Sequence, residues 1–113
     1  HNNTGKNPPY GCITAVNEKN KYLSSFFNHI GMVFHIPKGV STMAFEDICP
    51  AITLECSTPG NRLGIDKAVA LIEDLMHMDH FPEKPLPSHD LQLFHNNAML
   101  KIDENVNYGF EDE

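Results

Sequence analysis

The chain has 113 residues, of which 41% are hydrophobic, and it carries a formal net charge of −7 from 15 acidic and 8 basic residues. This length allows one domain or part of one, with a small hydrophobic core. The acidic balance argues against nucleic acid and anionic membrane surfaces as partners, since both attract basic proteins. No apolar run in the sequence is long enough to span a bilayer, so we expect no membrane segment.

Three cysteines, Cys12, Cys49 and Cys56, show neither a paired nor a metal-binding spacing. Two of them sit in apolar runs, as is typical of reduced, buried thiols, so we expect a cytoplasmic protein. The sequence begins on His1 without an initiator methionine and ends soon after a new strand-like pattern has begun. We therefore expect these residues to be a fragment of a longer chain.

Residue spacing in the first half of the chain alternates between strand and helix patterns. The predicted elements are a strand over Tyr10–Val16, a helix over Lys21–Ile30, a strand over Met32–Ile36, a short helix from Ser41 or Thr42 to Ile48, and a strand over Cys49–Cys56. Gly31 is predicted to be the glycine that follows the end of the first helix. This alternation predicts an α/β layered unit.

The strongest helical pattern follows the loop at residues 57–62. Its apolar residues recur at helical spacing and are expected to pack on the core: Ile65, Ala68, Val69, Ile72, Leu75 and Met76. His77 and His80 close this helix. Two histidines three residues apart can share a metal ion, but solvated histidines near a helix end are the simpler explanation.

Glu55 is the leading catalytic candidate from residue pattern alone. It lies at the end of the strand predicted over Cys49–Cys56, on the face opposite Leu54 and Cys56. Burying an unpaired carboxylate is costly, and in open α/β sheets ligands bind at the carboxyl ends of strands. The alternative is a glutamate at the sheet edge that simply reaches water.

The first five residues, His1-Asn2-Asn3-Thr4-Gly5, place an imidazole, two amides and a hydroxyl close together. Taken alone, His1 is also explained as the remnant of a tag. At this spacing, however, residues 1–5, then Gly11-Cys12, then Pro50–Glu55 resemble the succinylglutamate desuccinylase/aspartoacylase family of zinc-dependent deacylases, which have a zinc carboxypeptidase-like fold.

The resemblance implies part of a layered sheet with helices on both faces, followed by the start of a β-rich C-terminal domain. Residues 1–80 would be the C-terminal part of the catalytic domain, residues 81–90 a proline-rich linker, and residues 91–113 the start of the second domain. The three prolines in residues 81–90 agree with a linker.

The resemblance also implies a site for Zn²⁺ and a small N-acyl amino acid as substrate. His1 matches a zinc ligand, Asn2 a substrate-contacting amide, and Glu55 the catalytic glutamate that acts on the zinc-bound water. Arg62, the only arginine, is the candidate for binding the substrate carboxylate, although it follows Glu55; Lys38 is the only cation between Met32 and Glu55.

The family's two other zinc ligands lie upstream of the stretch that His1 begins, so we expect these residues alone to be inactive. The alternative is a non-catalytic α/β binding or interaction module, in which His1 and Glu55 lie far apart. In either case a truncated sheet exposes an edge and an apolar face, so we expect association into a homo-oligomer.

Overall fold

A computed structural model describes residues 1–3, 5–35, 40–107 and 109 of the chain. Strands and helices alternate here in the predicted order, which confirms an α/β fold with a small mixed sheet. The four strands and three helices of this described part are β1 (Tyr10–Ile13), α1 (Glu18–Phe27), β2 (Ile30–Val33), α2 (Ser41–Phe45), β3 (Thr53–Glu55), α3 (Arg62–His77) and β4 (Gln92–His95).

The sheet has the strand order β3-β1-β2-β4. β1 and β2 are parallel and are joined through α1, and β4 adds to the other side of β2, again in parallel. β3 is antiparallel to β1, with Glu55 directly opposite Tyr10 and Thr53 opposite Cys12. Directly opposed residues share a face of the sheet, so Tyr10, Cys12, Thr53 and Glu55 lie on one face.

α1 packs on the other face through two glycines. Gly11 and Gly31 are register partners on adjacent strands, and both lie under Ser24 of α1. A Cβ on either glycine would come within 2.6 or 2.7 Å of the Ser24 Oγ, closer than packed atoms allow. Gly31 was predicted to follow the helix end, but it lies within β2, where its missing side chain permits this close approach.

The core is small and surrounds this contact. Its buried hydrophobic side chains come from β1, β2, α1, α3 and the residue before β4: Cys12, Ile13, Tyr22, Leu23, Phe27, Val33, Leu71 and Leu91. Two strand predictions were too long: β1 ends at Ile13 and Val16 beyond it is exposed, and the strand predicted over Cys49–Cys56 is formed only by Thr53–Glu55. The predicted end of the second strand, Ile36, lies outside the described residues.

Side-chain caps set the ends of α1 three residues earlier than predicted. The Asn17 Oδ1 accepts a hydrogen bond from the Asn20 backbone N–H at 2.9 Å and so caps the first turn. At the other end Asn28 adopts an extended backbone, and its side-chain amide donates to the Pro9 carbonyl. The chain therefore leaves the helix before Ile30, which belongs to β2.

α3 forms where a helix was predicted, after the loop that follows β3, but not in the predicted orientation. Its buried residues are Gly64 and Leu71, whereas Ile65, Val69, Ile72 and Met76 are between 43% and 79% exposed. The packing of Gly64 explains the rotation, since a Cβ there would collide with the Cys56 carbonyl oxygen. The helix therefore packs on the rest of the domain through the side that carries Gly64. The prediction that these four apolar side chains pack on the core was wrong.

The proline-rich segment at residues 81–90 lies against α1. The Tyr22 hydroxyl donates a hydrogen bond to the Lys84 carbonyl at 2.6 Å, and the Leu86 N–H donates to the Glu18 carboxylate at 2.9 Å. β4 then joins the same sheet as β1 and β2, so the boundary predicted at residue 90 does not separate β4 from that sheet. The division into two domains stays a prediction.

The sheet has helical contacts mainly on one side in the described part of the chain. α1 contacts β1 and β2, and α3 contacts α1. On the opposite face, Phe94 is half exposed. A zinc carboxypeptidase-like arrangement, with helices on both faces, stays a prediction.

We predict that Gly31→Ala lowers the free energy of unfolding by about 1–3 kcal/mol, because the added methyl group would lie too close to both the Ser24 Oγ and a Leu93 methyl group. Urea denaturation of both chains measures the difference. Gly109→Ala is the control, since a Cβ there meets no atom within 4 Å. Equal midpoints for wild type and Gly31→Ala would contradict this packing.

Candidate functional site

Glu55 lies at the end of an outer strand, next to the start of β1. Its side chain is 13% exposed. Because β3 is antiparallel to β1, Glu55 lies beside Tyr10, at the amino end of the central strand. Glu55 therefore does not lie at the shared carboxyl edge of the parallel strands, where ligands bind in open α/β sheets.

His1 meets this carboxylate from the other end of the sequence. Its Nδ1 lies 3.1 Å from the Oε1 and 3.3 Å from the Oε2 of Glu55, although the two residues are 54 positions apart in the sequence. Two backbone hydrogen bonds hold the segment in place: the Cys56 N–H donates to the His1 carbonyl at 2.8 Å, and the Asn3 N–H donates to the Ser57 carbonyl at 3.1 Å. The structure thus brings together the two residues expected to carry the chemistry.

The two partners differ in their exposure to solvent. The His1 side chain is 71% exposed, whereas Glu55 is largely shielded. When Nδ1 donates its proton to the carboxylate, the Nε2 keeps a lone pair for a proton or a metal ion. A shielded carboxylate that orients an accessible imidazole is an arrangement suited to proton transfer.

Burial raises the pKa of Glu55 above its ordinary value of 4.5, and the α-amino group of His1 opposes this by a smaller amount. Two neighbours on the same face are also affected. Burial, with the nearby Cys12 and Glu55, raises the pKa of Tyr10, while the neighbouring Asn3 side chain lowers it by a smaller amount. Burial and the charge of Glu55 raise the pKa of the Cys12 thiol to about 12. The surroundings of Glu55 therefore disfavour negative charge.

Asn2 and Arg62 do not share this environment. Asn2 is exposed beside His1. Arg62 begins α3, and its Nε pairs with Asp66 at 3.0 Å on the exposed side of that helix. Their predicted roles in substrate binding stay predictions, and Thr4 and Lys38 lie outside the described residues.

Asn3 and Tyr10 also lie close to Glu55, although their residue pattern does not indicate it. Tyr10 shares a register position with Glu55, and the polar atoms of the Asn3 side chain are shielded from solvent beside it. Tyr10 lies opposite Glu55 because β3 is antiparallel to β1. No residue pattern gives that direction, so the sequence carries no signal for either neighbour.

The residues present do not complete a zinc site. A catalytic zinc takes three protein ligands, and the described ranges contain no group of three or more His, Cys, Asp or Glu side chains able to hold a metal ion. His1 would supply one ligand through its Nε2. The predicted Zn²⁺ would thus need ligands from beyond these residues, and it stays a prediction.

A separate groove of about 500 Å³ lies over α1. It is lined by Tyr22, Glu18 and the segment that includes His80, Phe81 and Glu83. His80 and Glu83 repeat the spacing His-x-x-Glu, but they follow α3 in the sequence, whereas the family's pair precedes the ligand that His1 matches. His77, the other candidate ligand near this helix end, is bonded through its Nδ1 to the Glu73 carbonyl at 2.8 Å.

Comparison with known proteins gives no match to a family model, to a characterised protein or to a solved structure. The resemblance to the deacylase family therefore stays a prediction. No helix in the described residues is long and apolar enough to cross a membrane.

We predict that Glu55→Gln gains stability relative to the wild type as pH rises. Because the raised pKa of Glu55 means that the folded chain binds this proton more tightly than the unfolded chain, wild-type stability falls as pH rises from about 4.5 through the folded-state pKa. The variant lacks this titration. Urea denaturation at pH 4 and pH 7 measures the change. A shift in favour of the wild type would show that His1 stabilises the carboxylate more than burial disfavours it.

We further predict that iodoacetamide at pH 8 modifies Cys49, which is exposed, and leaves Cys12 unmodified. The thiolate is the reactive form, and at pH 8 a thiol with a pKa of about 12 is almost entirely protonated. Mass spectrometry of tryptic peptides gives the result. Modification of both residues at similar rates would contradict the burial of Cys12 beside Glu55.

Proposed function

We propose that this chain contributes the catalytic carboxylate and a histidine to an amide hydrolase of the succinylglutamate desuccinylase/aspartoacylase type. The substrate would be an N-acyl amino acid or a similar small amide. The observation that supports this proposal is the 3.1 Å contact between the His1 Nδ1 and the Glu55 Oε1. The resemblance implies roles for both residues in one reaction, and they meet although they are 54 positions apart in the sequence.

The reaction assigned to Glu55 is general base catalysis. Its carboxylate takes a proton from a water molecule as the water oxygen attacks the amide carbonyl carbon. The same proton then passes to the nitrogen as the C–N bond breaks, which releases a carboxylic acid and an amine. A carboxylate with a raised pKa holds this proton better than an ordinary glutamate, so its shielding supports the role.

His1 is assigned the task of orienting Glu55 and offering its Nε2 at the accessible side of the pair. The imidazole keeps one carboxylate edge engaged, which limits the rotation of the carboxylate. A zinc ion could take part in this reaction only in a form of the protein that supplies the two further zinc ligands. Because of that requirement, we expect residues 1–113 alone to have no measurable activity.

The alternative, an interaction module without catalysis, has one observation in its favour. α3 exposes Ile65, Val69, Ile72 and Met76 along one side, as a helix that contacts another polypeptide does. This exposure does not account for the contact between His1 and Glu55. The hydrolase is therefore the function that the site supports best, and the two functions are not exclusive.

We predict that Glu55→Gln lowers kcat by about 100-fold or more in any form of the protein that supplies the two further zinc ligands, because the amide cannot accept the proton of the attacking water. The assay follows release of free amine from a panel of N-acetyl and N-succinyl amino acids in the presence of zinc. Metal content, measured by mass spectrometry, should not change.

Glu104→Gln is the matched control, since Glu104 is exposed and lies outside the site. It should keep the wild-type rate. Full activity of Glu55→Gln would remove Glu55 from the reaction, and a wild-type protein that hydrolyses no member of the panel would overturn the proposed substrate class.

A further inference from the structure

Ser57 has an unusual backbone conformation two residues after Glu55. Its φ is 69°, and it is the one non-glycine residue with a positive φ in the part of the chain that the structure describes. It is also 3% exposed, so the conformation is not that of a solvent-exposed turn. Non-glycine residues in this region are disfavoured and persist only where their surroundings impose the conformation.

The left-handed backbone at Ser57 changes which edge of the strand its carbonyl faces. In a regular strand the N–H of one residue and the C=O of the next point to opposite edges. Here the Cys56 N–H and the Ser57 C=O point to the same edge, and they bond to the His1 carbonyl and the Asn3 N–H. In a regular strand the Cys56 C=O would share this edge with its own N–H; here that carbonyl packs against Gly64, and the Ser57 C=O takes its place as the second anchor for His1–Asn3.

The first turn of α3 supports Ser57 from the other side. Asn61 caps this helix by accepting from the Gly64 N–H at 3.1 Å, and its side-chain amide lies 3.4 Å from the Ser57 Oγ. Gly64 packs directly on the Cys56 carbonyl. The segment that holds His1 is therefore fixed to a helix of 16 residues.

We propose that Ser57 is a positioning residue, whose left-handed backbone holds His1–Asn3 against β3 and so sets the contact between the imidazole and Glu55. Its importance for catalysis rests on the hydrolase function proposed above, whereas its effect on the position of His1 does not. Ser57 itself touches neither the imidazole nor the Glu55 carboxylate in any described hydrogen bond or ion pair. Its action runs through the backbone of Cys56 and Asn3.

The test compares Ser57→Val with Ser57→Gly. A β-branched residue is strongly disfavoured at this φ, whereas glycine adopts it freely. We expect amide hydrogen exchange at Asn3 and Cys56 to become about 10- to 100-fold faster in Ser57→Val. The NMR cross-peak between the His1 ring and the Glu55 side chain should disappear in that variant. Ser57→Gly should keep both the protection and the cross-peak.

Two controls separate this effect from general loss of stability. Exchange at Phe34, whose N–H bonds to the Ile13 carbonyl in the sheet, should stay unchanged. Ser88→Val places the same substitution at an exposed position and should alter nothing. If Ser57→Val does not fold, Ser57→Asn and Ser57→Ala replace it. Asparagine enters the left-handed region more readily than alanine, so only the alanine variant should lose protection at Asn3 and Cys56.

The outcomes distinguish the two proposals. Unchanged exchange and an unchanged cross-peak in the disfavoured variants would overturn the role of Ser57, whatever the activity. Faster exchange with loss of the cross-peak supports that role even if the protein hydrolyses no amide, in which case the proposed function fails alone. If both proposals hold, kcat in the full protein falls in Ser57→Val and is retained in Ser57→Gly.

Discussion

The antiparallel pairing of β3 with β1 is the constraint on which the candidate site depends. The His1–Asn3 segment bonds through its backbone to Cys56 and Ser57, directly after β3 ends. The antiparallel register places Glu55 opposite Tyr10. A parallel β3 would place Glu55 at the other end of the strand, near Ile13, and the pair with His1 would not form.

Much of the secondary structure was readable from residue spacing, because strands and helices impose different periods on apolar side chains. The order of elements followed from that alternation. The orientation of α3 did not follow from it. A pattern of apolar side chains does not include Gly64, although Gly64 is the residue of α3 that packs against the Cys56 carbonyl. The end of α1 likewise depends on Asn17 and Asn28, whose side chains act on the backbone.

The candidate site was only partly predictable. Glu55 stands out as a charge in an apolar run, but ligand binding at the carboxyl ends of parallel strands does not explain it, because β3 is antiparallel to β1. His1 was selected through a family resemblance, because nothing in its own neighbours requires a distant carboxylate. Ser57 gave no signal, since a serine after a strand is ordinary and a positive φ is a property of the folded backbone.

The strand order has a consequence for the way in which the chain folds as it is synthesised. The inner pair, β1 and β2, lies within residues 10–33 together with α1, so this unit forms from local contacts. Both outer positions are filled later, by residues 53–55 and 92–95. Until about 60 further residues have followed β2, one edge of the nascent sheet offers unpaired N–H and C=O groups to any extended peptide nearby. A nascent chain of this design thus depends on prompt elongation, or on a chaperone, to protect that edge.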